Sequence, residues 1–283
     1  MIKDILWRGI EATELHSADG ATAVLARHGA HLLSWIPAGG PEVLFVSDRT
    51  RCADGDAIRG GVPVIFPQFA ERGPARRHGF ARNVRWRLLS AEVTEGATIV
   101  RHGLDHNAAG DPQWPYRFAL ELTVRLDSAG LALTLDVHNP STEPWQFTAA
   151  LHTYLRIEPR AIARVRGLRG SNYIDQVRDG AQAVQPEASL LIENEIDRIY
   201  TCAPHRVDID DGKRVIDVRQ QGFPDTVVWN PGPEKGNAIV DLTSDDYRAF
   251  VCVEAAAAAL PVVMAAGAHW RGTQSLQVRH VLS

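Results

Sequence analysis

The sequence predicts an all-β chain that folds as one large antiparallel β-sandwich with few short helices. Two observations support this fold class. The segment 118–127, FALELTVRLD, alternates strictly between apolar and polar side chains, and the segment 131–139, LALTLDVHN, repeats the pattern. A period of two is typical of half-buried strands, whereas helical periodicity is nearly absent from this chain. Antiparallel hairpins are therefore expected to make most of the connections.

Turn signals join these strands. The residues SAG at 128–130 connect the two alternating segments as a hairpin, and Asp211-Gly212 marks the turn of a second hairpin within 206–220. Residues 243–250 are predicted to form at most a helical turn, with Ser244 as its N-cap. The other strand candidates are rich in apolar residues and lie at 22–36, 84–93, 149–157, 225–230, 249–256 and 273–282.

Composition sets limits on the function. The chain has 283 residues, of which 45% are hydrophobic and 23% charged, so it can bury a large core. We expect a single domain over residues 1–283. The net charge of −4 argues against a nucleic-acid binder. Three scattered cysteines indicate neither a disulfide framework nor a metal site. Without an apolar leader or a long apolar run, we expect a cytoplasmic monomer that does not interact with membranes.

A local cluster of six arginines lies between residues 72 and 87 of this acidic chain. Such a cluster fits recognition of one small anion better than recognition of a nucleic acid. Strand alternation predicts that Arg85 and Arg87 lie on the solvent face of a sheet, while Trp86 points inward. We interpret Arg72 and Arg76 as loop residues.

Two stretches near this cluster are candidates for ligand contact. Arg59 precedes Gly60-Gly61, and glycines permit a close approach of a ligand to backbone N–H groups. The alternative is a glycine-rich turn before a strand. His78 and Arg82 lie four residues apart in HGFAR, and arginine is well suited to clamp a phosphate. The alternative for HGFAR is a basic surface loop.

Two further stretches place reactive groups on strands. In 151–156, alternation places His152 and Tyr154 on the same face. In 250–254, Glu254 ends an apolar strand and shares a face with Cys252. Burial there would raise the pKa of the glutamate, and a charged partner would lower it again. A structural histidine and a solvent-facing glutamate are the alternatives.

Taken in order, these stretches resemble a known family. IRGGVPVIFPQFAERGPARRHGFARNVRW, LHTYLRI, EIDRIY, DTVVWNPGPEKGNAIVDL, DDYRAFVCVEAA and HWRGTQSLQV are similar to the hexose-6-phosphate mutarotases, the glucose-6-phosphate 1-epimerase branch of the aldose 1-epimerase superfamily. The similarity runs from about residue 20 to the C-terminus. It implies a galactose mutarotase-like β-supersandwich with a carbohydrate cleft on one sheet. It also implies interconversion of the α and β anomers of a hexose 6-phosphate, without a metal or an organic cofactor.

The resemblance assigns roles to individual residues. His152 and Glu254 match the catalytic histidine and glutamate, and Arg59 and Arg82 match the arginines that hold the phosphate. The remaining matches are His78 as a cleft histidine, Asp197 as an acidic substrate contact, and Arg77 as a further substrate-binding candidate at a position where relatives often carry glutamine.

Mutarotation needs a base for the anomeric hydroxyl proton and an acid for the ring oxygen. We expect Glu254 to be the base and protonated His152 the acid, on opposite sides of the pyranose. Two alternatives stay open at this point. One is an epimerase acting on another phosphorylated or neutral sugar, and the other is a non-catalytic carbohydrate-binding sandwich.

Overall fold

The structure, a computed structural model, describes residues 1–53, 55–158 and 163–280, with only the backbone at 280. In these residues 21 strands form three sheets, and every pairing between strands is antiparallel. The first sheet has four strands in sequence order: β1 (Ile2–Trp7), β2 (Ile10–His16), β3 (Thr22–Ala26) and β4 (Leu32–Ile36).

The second sheet has eight strands and carries the cavity described below. Its members are β5 (Val64–Ile65), β10 (Trp145–Leu151), β11 (Tyr154–Arg156), β13 (Asn172–Asp175), β14 (Ala181–Val184), β16 (Ile196–Tyr200), β19 (Asp225–Asn230) and β20 (Phe250–Met264). They are ordered β14-β13-β16-β19-β20-β10-β5, and β11 also pairs with β20.

The third sheet has nine strands and closes the sandwich from the other side. Its members are β6 (Arg87–Val93), β7 (Ala97–Asp105), β8 (Ala119–Asp127), β9 (Gly130–His138), β12 (Arg164–Arg166), β15 (Ser189–Leu191), β17 (Arg206–Asp210), β18 (Arg214–Gln221) and β21 (His269–His280). They are ordered β15-β12-β17-β18-β21-β9-β8-β7-β6.

Helices are few and short. The α-helix α1 (Gly232–Ala238) has seven residues, and single 3₁₀ turns lie at Ala81–Asn83, Gln176–Arg178 and Asp246–Arg248. None of the helices in the described ranges is long and apolar enough to cross a membrane. The predicted turn near residue 244 exists, but its N-cap position is Asp245 and not Ser244, and no side-chain hydrogen bond caps it.

The alternating segments fold as predicted. Strands β8 and β9 pair from Ala119↔His138 to Asp127↔Gly130, and their inward side chains are buried while the intervening ones are at least partly accessible. One buried cluster joins Leu122 and Leu133 of the third sheet to Phe147 and Val253 of the second. Burial of these apolar side chains is the main force that holds the two large sheets together. That the whole chain is a single domain stays a prediction.

Several strand predictions need correction. The strand predicted at 84–93 begins only at Arg87 as β6, and the one predicted at 149–157 is interrupted at residues 152–153, between β10 and β11. The segment 22–36 is two strands, since the chain turns back between Ala26 and Leu32, with Gly29 and Ala30 in left-handed conformations. The strand predicted at 249–256 is β20, which runs on to Met264 because its alanines 255–258 are buried on both faces. Residues 281 and 282 of the last predicted strand lie outside the described residues.

A buried polar clamp crosses the sandwich between β21 and β20. The side chain of Gln274 is fully buried, and its Nε2 donates a hydrogen bond to the carbonyl of Val253 at 3.0 Å. Its Oε1 accepts a hydrogen bond from Oγ1 of Thr153. The N–H of Val253 in turn donates to the carbonyl of Thr153 at 3.1 Å. The three residues therefore close a ring of hydrogen bonds inside an otherwise apolar layer.

Gln274→Leu is expected to lower the free energy of unfolding by about 2–4 kcal/mol. The substitution leaves the Thr153 hydroxyl and the Val253 carbonyl buried without their partner, at about 1–3 kcal/mol each. Urea denaturation measures the change. Gln277→Leu, the same substitution at a partly exposed position of β21, is the control and should change stability by only about 0.5 kcal/mol. Equal losses in the two variants would contradict a special role for the clamp.

Candidate active site

A cavity of about 680 Å³ opens on the face of the second sheet that points away from the shared core. Strand alternation explains its position, since Val251 and Val253 of β20 join the core while Glu254 faces the other way. The residues that form its wall are Arg59, Phe69, Ala70, Glu71, Arg72, Arg77, His78, Arg82, His152, Gln176, Asp197, Val227, Trp229, Lys235, Ile239 and Glu254.

All seven site residues singled out in the sequence line this cavity. They come from segments far apart in the chain, which is why their shared location is informative. The structure shows that they lie together, while the role of each residue stays a prediction.

His152 and Glu254 are cross-strand neighbours. The pairings Leu151↔Ala255 and Tyr154↔Cys252 have one continuous register, although His152 itself lies in the gap between β10 and β11. This register places His152 directly opposite Glu254, and directly opposed residues point to the same side of a sheet. The distance from His152 Nδ1 to Glu254 Oε1 is 3.3 Å. The pair therefore stands side by side, and the expectation that the two lie on opposite sides of a sugar is wrong.

The pair is deeply buried, and burial governs its protonation. His152 is 7% exposed and Glu254 is 1% exposed. Burial lowers the pKa of His152 well below its usual value, and the positive charges of Arg82 and Arg59 lower it further. Burial likewise raises the pKa of Glu254. The 3.3 Å contact lacks the alignment of a hydrogen bond, so Nδ1 of His152 and Oε2 of Glu254 are both buried without a hydrogen-bond partner.

His78 is held in the wall as a neutral ring. Its backbone is left-handed, with φ at 63°, and its Nδ1 accepts a hydrogen bond from the N–H of Ala70 at 3.3 Å. An accepting Nδ1 places the proton of the neutral ring on Nε2. Burial, together with the charges of Arg82 and Arg77, lowers the pKa of His78 to about 2. His78 can thus donate one hydrogen bond from Nε2 at any physiological pH.

Arg59 is fixed at both ends of its side chain. Its backbone N–H donates to Oγ1 of Thr50 at 2.7 Å. Its Nε donates to Oδ1 of Asp241 and its Nη1 to the hydroxyl of Tyr154, each at 3.1 Å. The guanidinium therefore reaches the cavity in a defined orientation, already paired with one carboxylate.

The glycines after Arg59 serve packing and not ligand contact. A Cβ on Gly60 would strike the carbonyl oxygen of Phe45, and one on Gly61 would strike that of Leu32. The N–H of Gly61 donates to the Phe45 carbonyl at 2.7 Å, so it is not available to a ligand. Buried His31 adds a hydrogen bond between its Nε2 and the Gly60 carbonyl at 2.7 Å. The predicted approach of a ligand is thus wrong for the N–H of Gly61, and neither glycine belongs to the cavity wall.

Arg82 differs from Arg59 in having no acidic partner. Within the described residues it forms no ion pair; its Nη2 reaches the carbonyl of Arg77 at 3.5 Å, and its Nε is buried without a hydrogen bond. Burial lowers the pKa of Arg82 to about 10, which still leaves it charged at neutral pH. Arg77 is exposed at the rim, where its Nη1 lies 3.7 Å from the carboxylate of Glu71. Of the two, Arg82 is the better anion receptor.

Asp197 stands on β16, in the same wall as Glu254. The pairings Asp197↔Trp229 and Trp229↔Cys252 align these strands, so Trp229 lies between the aspartate and Cys252, near the start of β20. Burial raises the pKa of Asp197 to about 6, an effect partly opposed by the positive charge of Lys235. The negative charge of Asp197 in turn contributes to the raised pKa of Glu254.

The sequence analysis missed several wall residues. Arg72, interpreted there as a plain loop residue, lines the cavity and donates from Nη2 to Oε1 of Gln176 at 3.4 Å. Lys235 reaches the wall from α1 and pairs with Glu195 at 2.8 Å. The HGFAR motif correctly indicated that the loop around residues 72–82 contributes to the site. Nothing local in the sequence shows which arginines of that loop face the cavity. The predictions for Arg85 and Arg87 hold, since both are exposed.

Comparisons with known proteins agree with this geometry. A sequence model of the family described as Aldose 1-epimerase matches residues 11–277. A Cenchrus ciliaris protein, provisionally named a glucose-6-phosphate 1-epimerase, is 31% identical over 281 residues, covering 95% of this chain and 84% of the relative. A protein of Escherichia coli (strain K12) with the same provisional name is 36% identical over 241 residues, covering 83% and 79% respectively.

A solved structure supports the same assignment. The crystal structure of YeaD from Salmonella typhimurium, provisionally named a mutarotase, matches with a TM-score of 0.88 at 30% identity, covering 99% of this chain and 94% of that one. The predicted fold class and family are therefore confirmed. From the family match over most of its length and from these relatives, the chain belongs to the aldose 1-epimerase family of isomerases.

Proposed function

We propose that this enzyme interconverts the α and β anomers of a hexose 6-phosphate, with glucose 6-phosphate as the substrate. The observation that carries the proposal is the unpaired guanidinium of Arg82 in a cavity that also holds the His152–Glu254 pair. The names of the relatives from Cenchrus ciliaris and Escherichia coli support the same substrate.

The charge of the cavity favours an anionic sugar. Within the described residues its wall carries five basic and three acidic side chains. Three of the basic groups are paired with a carboxylate, Arg59 with Asp241, Arg77 with Glu71 and Lys235 with Glu195. Within the described residues Arg72 and Arg82 have no acidic partner, and of these two Arg72 is exposed while Arg82 is partly buried. A partly buried cation without a counter-ion is held at a cost in free energy. A phosphate bound there would remove that cost and gain charge-assisted hydrogen bonds.

Mutarotation requires two proton transfers at neighbouring oxygens. The anomeric hydroxyl O1 loses its proton, the ring oxygen O5 gains one, and the C1–O5 bond breaks to give the open aldehyde. Rotation about C1–C2 followed by the reverse transfers yields the other anomer. Because O1 and O5 are both bonded to C1, an acid and a base that stand side by side can serve both atoms.

His152 and Glu254 can together supply the proton that O5 gains and take up the proton that O1 loses. In the neutral pair favoured by burial, Glu254 is protonated and the imidazole is not. Transfer of that proton to Nδ1 creates a carboxylate, which accepts the O1 proton, and an imidazolium, which donates its Nε2 proton to O5. The 3.3 Å contact is poorly aligned for a hydrogen bond in this structure. Such contacts commonly tighten only when substrate is bound.

The bound phosphate favours the ion pair. The charges of Arg82 and Arg59 are among the causes that lower the pKa of His152. A phosphate dianion against these arginines offsets their repulsion of an imidazolium, since opposite charges at short range favour the charged form. Substrate binding would thereby shift the proton from Glu254 towards His152 at the point where it is used.

Glu254→Gln is expected to lower kcat for anomer exchange by about 10²–10⁴-fold, because the amide cannot accept the O1 proton. Exchange NMR on equilibrated glucose 6-phosphate measures the rate. Glu95→Gln, an exposed position in the turn between β6 and β7, is the matched control and should retain full activity. A Glu254→Gln variant that exchanges anomers at the wild-type rate would show that the base has been assigned wrongly.

Arg82→Ala is expected to raise KM for glucose 6-phosphate about 30-fold or more and to leave the rate on free glucose nearly unchanged. The factor corresponds to about 2 kcal/mol, the lower end of the loss when one partner of a buried charge pair is removed. Polarimetry on both sugars measures it, with Arg87→Ala on exposed β6 as the control. Equal, small changes on both sugars would instead indicate an epimerase for neutral sugars.

A further inference from the structure

Tyr154 lies directly behind the cavity wall and contacts both His152, the proposed acid, and Arg59, a proposed phosphate ligand. Its ring is parallel to that of His152, with centroids 4.8 Å apart and planes inclined by 9°. Its hydroxyl accepts the hydrogen bond from Nη1 of Arg59 at 3.1 Å. Tyr154 is only 2% exposed and does not belong to the cavity wall, so any effect it has on the substrate must pass through these neighbours.

The tyrosine itself is rigidly held. Its ring packs against Phe250 at 5.2 Å and Trp229 at 6.0 Å between centroids, in a cluster that also includes Phe45. Register places it opposite Cys252 on β20. Burial raises the pKa of its hydroxyl, so the group stays protonated and neutral. The fixed ring therefore gives His152 a stacking surface of constant position, and the fixed hydroxyl gives Arg59 a hydrogen-bond acceptor of constant position.

Arg59 depends on this hydroxyl for its orientation. Asp241 holds Nε and Tyr154 holds Nη1, and within the described residues Nη2 has no hydrogen-bond partner. An arginine held at two nitrogens presents its remaining donors in one plane, because the guanidinium is planar. Loss of the Tyr154 contact would leave Asp241 as the main restraint on that plane.

His152 depends on the ring. It lies in the break between β10 and β11, where its backbone N–H donates to the carbonyl of Pro63 at 3.0 Å but Nδ1 of its ring has no hydrogen-bond partner. The parallel face of Tyr154 and the edge of Trp229, 5.9 Å away at 87°, restrict the imidazole to one plane. That plane directs Nδ1 towards Glu254.

We propose that Tyr154 is a positioning residue that sets the spacing between the phosphate-binding Arg59 and the proton-transferring His152. This inference rests on the proposed function. In a hexose 6-phosphate, the short C5–C6–O6 link limits how far the phosphate can lie from O5. A single rigid side chain that contacts both receptor groups holds them at one separation and thereby favours sugars phosphorylated at C6.

The two contacts of Tyr154 separate in kinetics. Tyr154→Phe keeps the ring and removes the hydroxyl, so KM for glucose 6-phosphate should rise about tenfold while kcat, and kcat/KM for free glucose, stay at the wild-type values. Tyr154→Leu removes the ring as well, so kcat should fall about tenfold or more with glucose 6-phosphate, and kcat/KM for glucose should fall with it. Exchange NMR at several substrate concentrations measures both parameters.

Tyr200→Phe is the matched control. Tyr200 is a fully buried tyrosine of the same sheet, and its hydroxyl donates to Gln185 at 2.8 Å, away from the cavity wall. The Tyr200→Phe substitution should leave KM for glucose 6-phosphate and KM for glucose unchanged. The proposal is overturned if Tyr154→Phe changes KM for glucose 6-phosphate by less than about twofold, or changes KM for both sugars equally. This result comes from Tyr154→Phe alone, so it does not depend on the folding of Tyr154→Leu.

Failure of the proposed function gives a different result. A wild-type enzyme that exchanges glucose as efficiently as glucose 6-phosphate would refute the choice of substrate. Even then, a full kcat/KM for glucose in a folded Tyr154→Leu variant would refute the action of the ring on His152. The two proposals can therefore fail separately.

Discussion

The candidate site depends on one constraint, the unbroken antiparallel register between residues 151–154 and β20. Strand β10 ends at Leu151 and β11 begins at Tyr154, so His152 lies where the ladder is interrupted. The interruption does not shift the pairing because the clamp of Gln274 holds the following residue, Thr153, to β20 from behind. A slip by one residue would turn His152 into the core, since side chains alternate between faces.

The clamp also explains why a polar side chain is tolerated inside the sandwich. Gln274 uses both ends of its amide, so burial leaves neither end unsatisfied. Its two partners flank the reactive residues, with Thr153 after His152 and Val253 before Glu254. Packing of apolar side chains alone would hold the sheets together without fixing this spacing. A directional hydrogen-bond ring fixes it to within a few tenths of an ångström.

Much of the fold could be predicted from the sequence, since its strongest signals are local. Period-two alternation identified β8 and β9 and their hairpin. The seven-residue helix α1 was missed because it is too short to show a helical period, and Lys235 was missed with it. Arg72 lies in a loop, as predicted, but its place in the cavity wall was not foreseen, because its direction depends on the path of that loop, where the side chain of Gln68 binds the backbone of Ala75 at 2.9 Å. Such long-range and loop-specific contacts have no signature in a single sequence.

The lack of long-range information in a single sequence also explains why His152 and Glu254 were expected on opposite sides of the sugar and not side by side. Sequence motifs identify which residue types are present, but the distance between His152 and Glu254 comes from a pairing between strands about a hundred residues apart. Because His152 and Glu254 are in contact, their protonation states are coupled, and they titrate as a pair rather than as two independent groups. Its charge state then responds to any charge placed nearby, and the nearest unpaired one is Arg82. In the proposed mechanism, substrate binding and proton transfer are thus linked by electrostatics across one cavity.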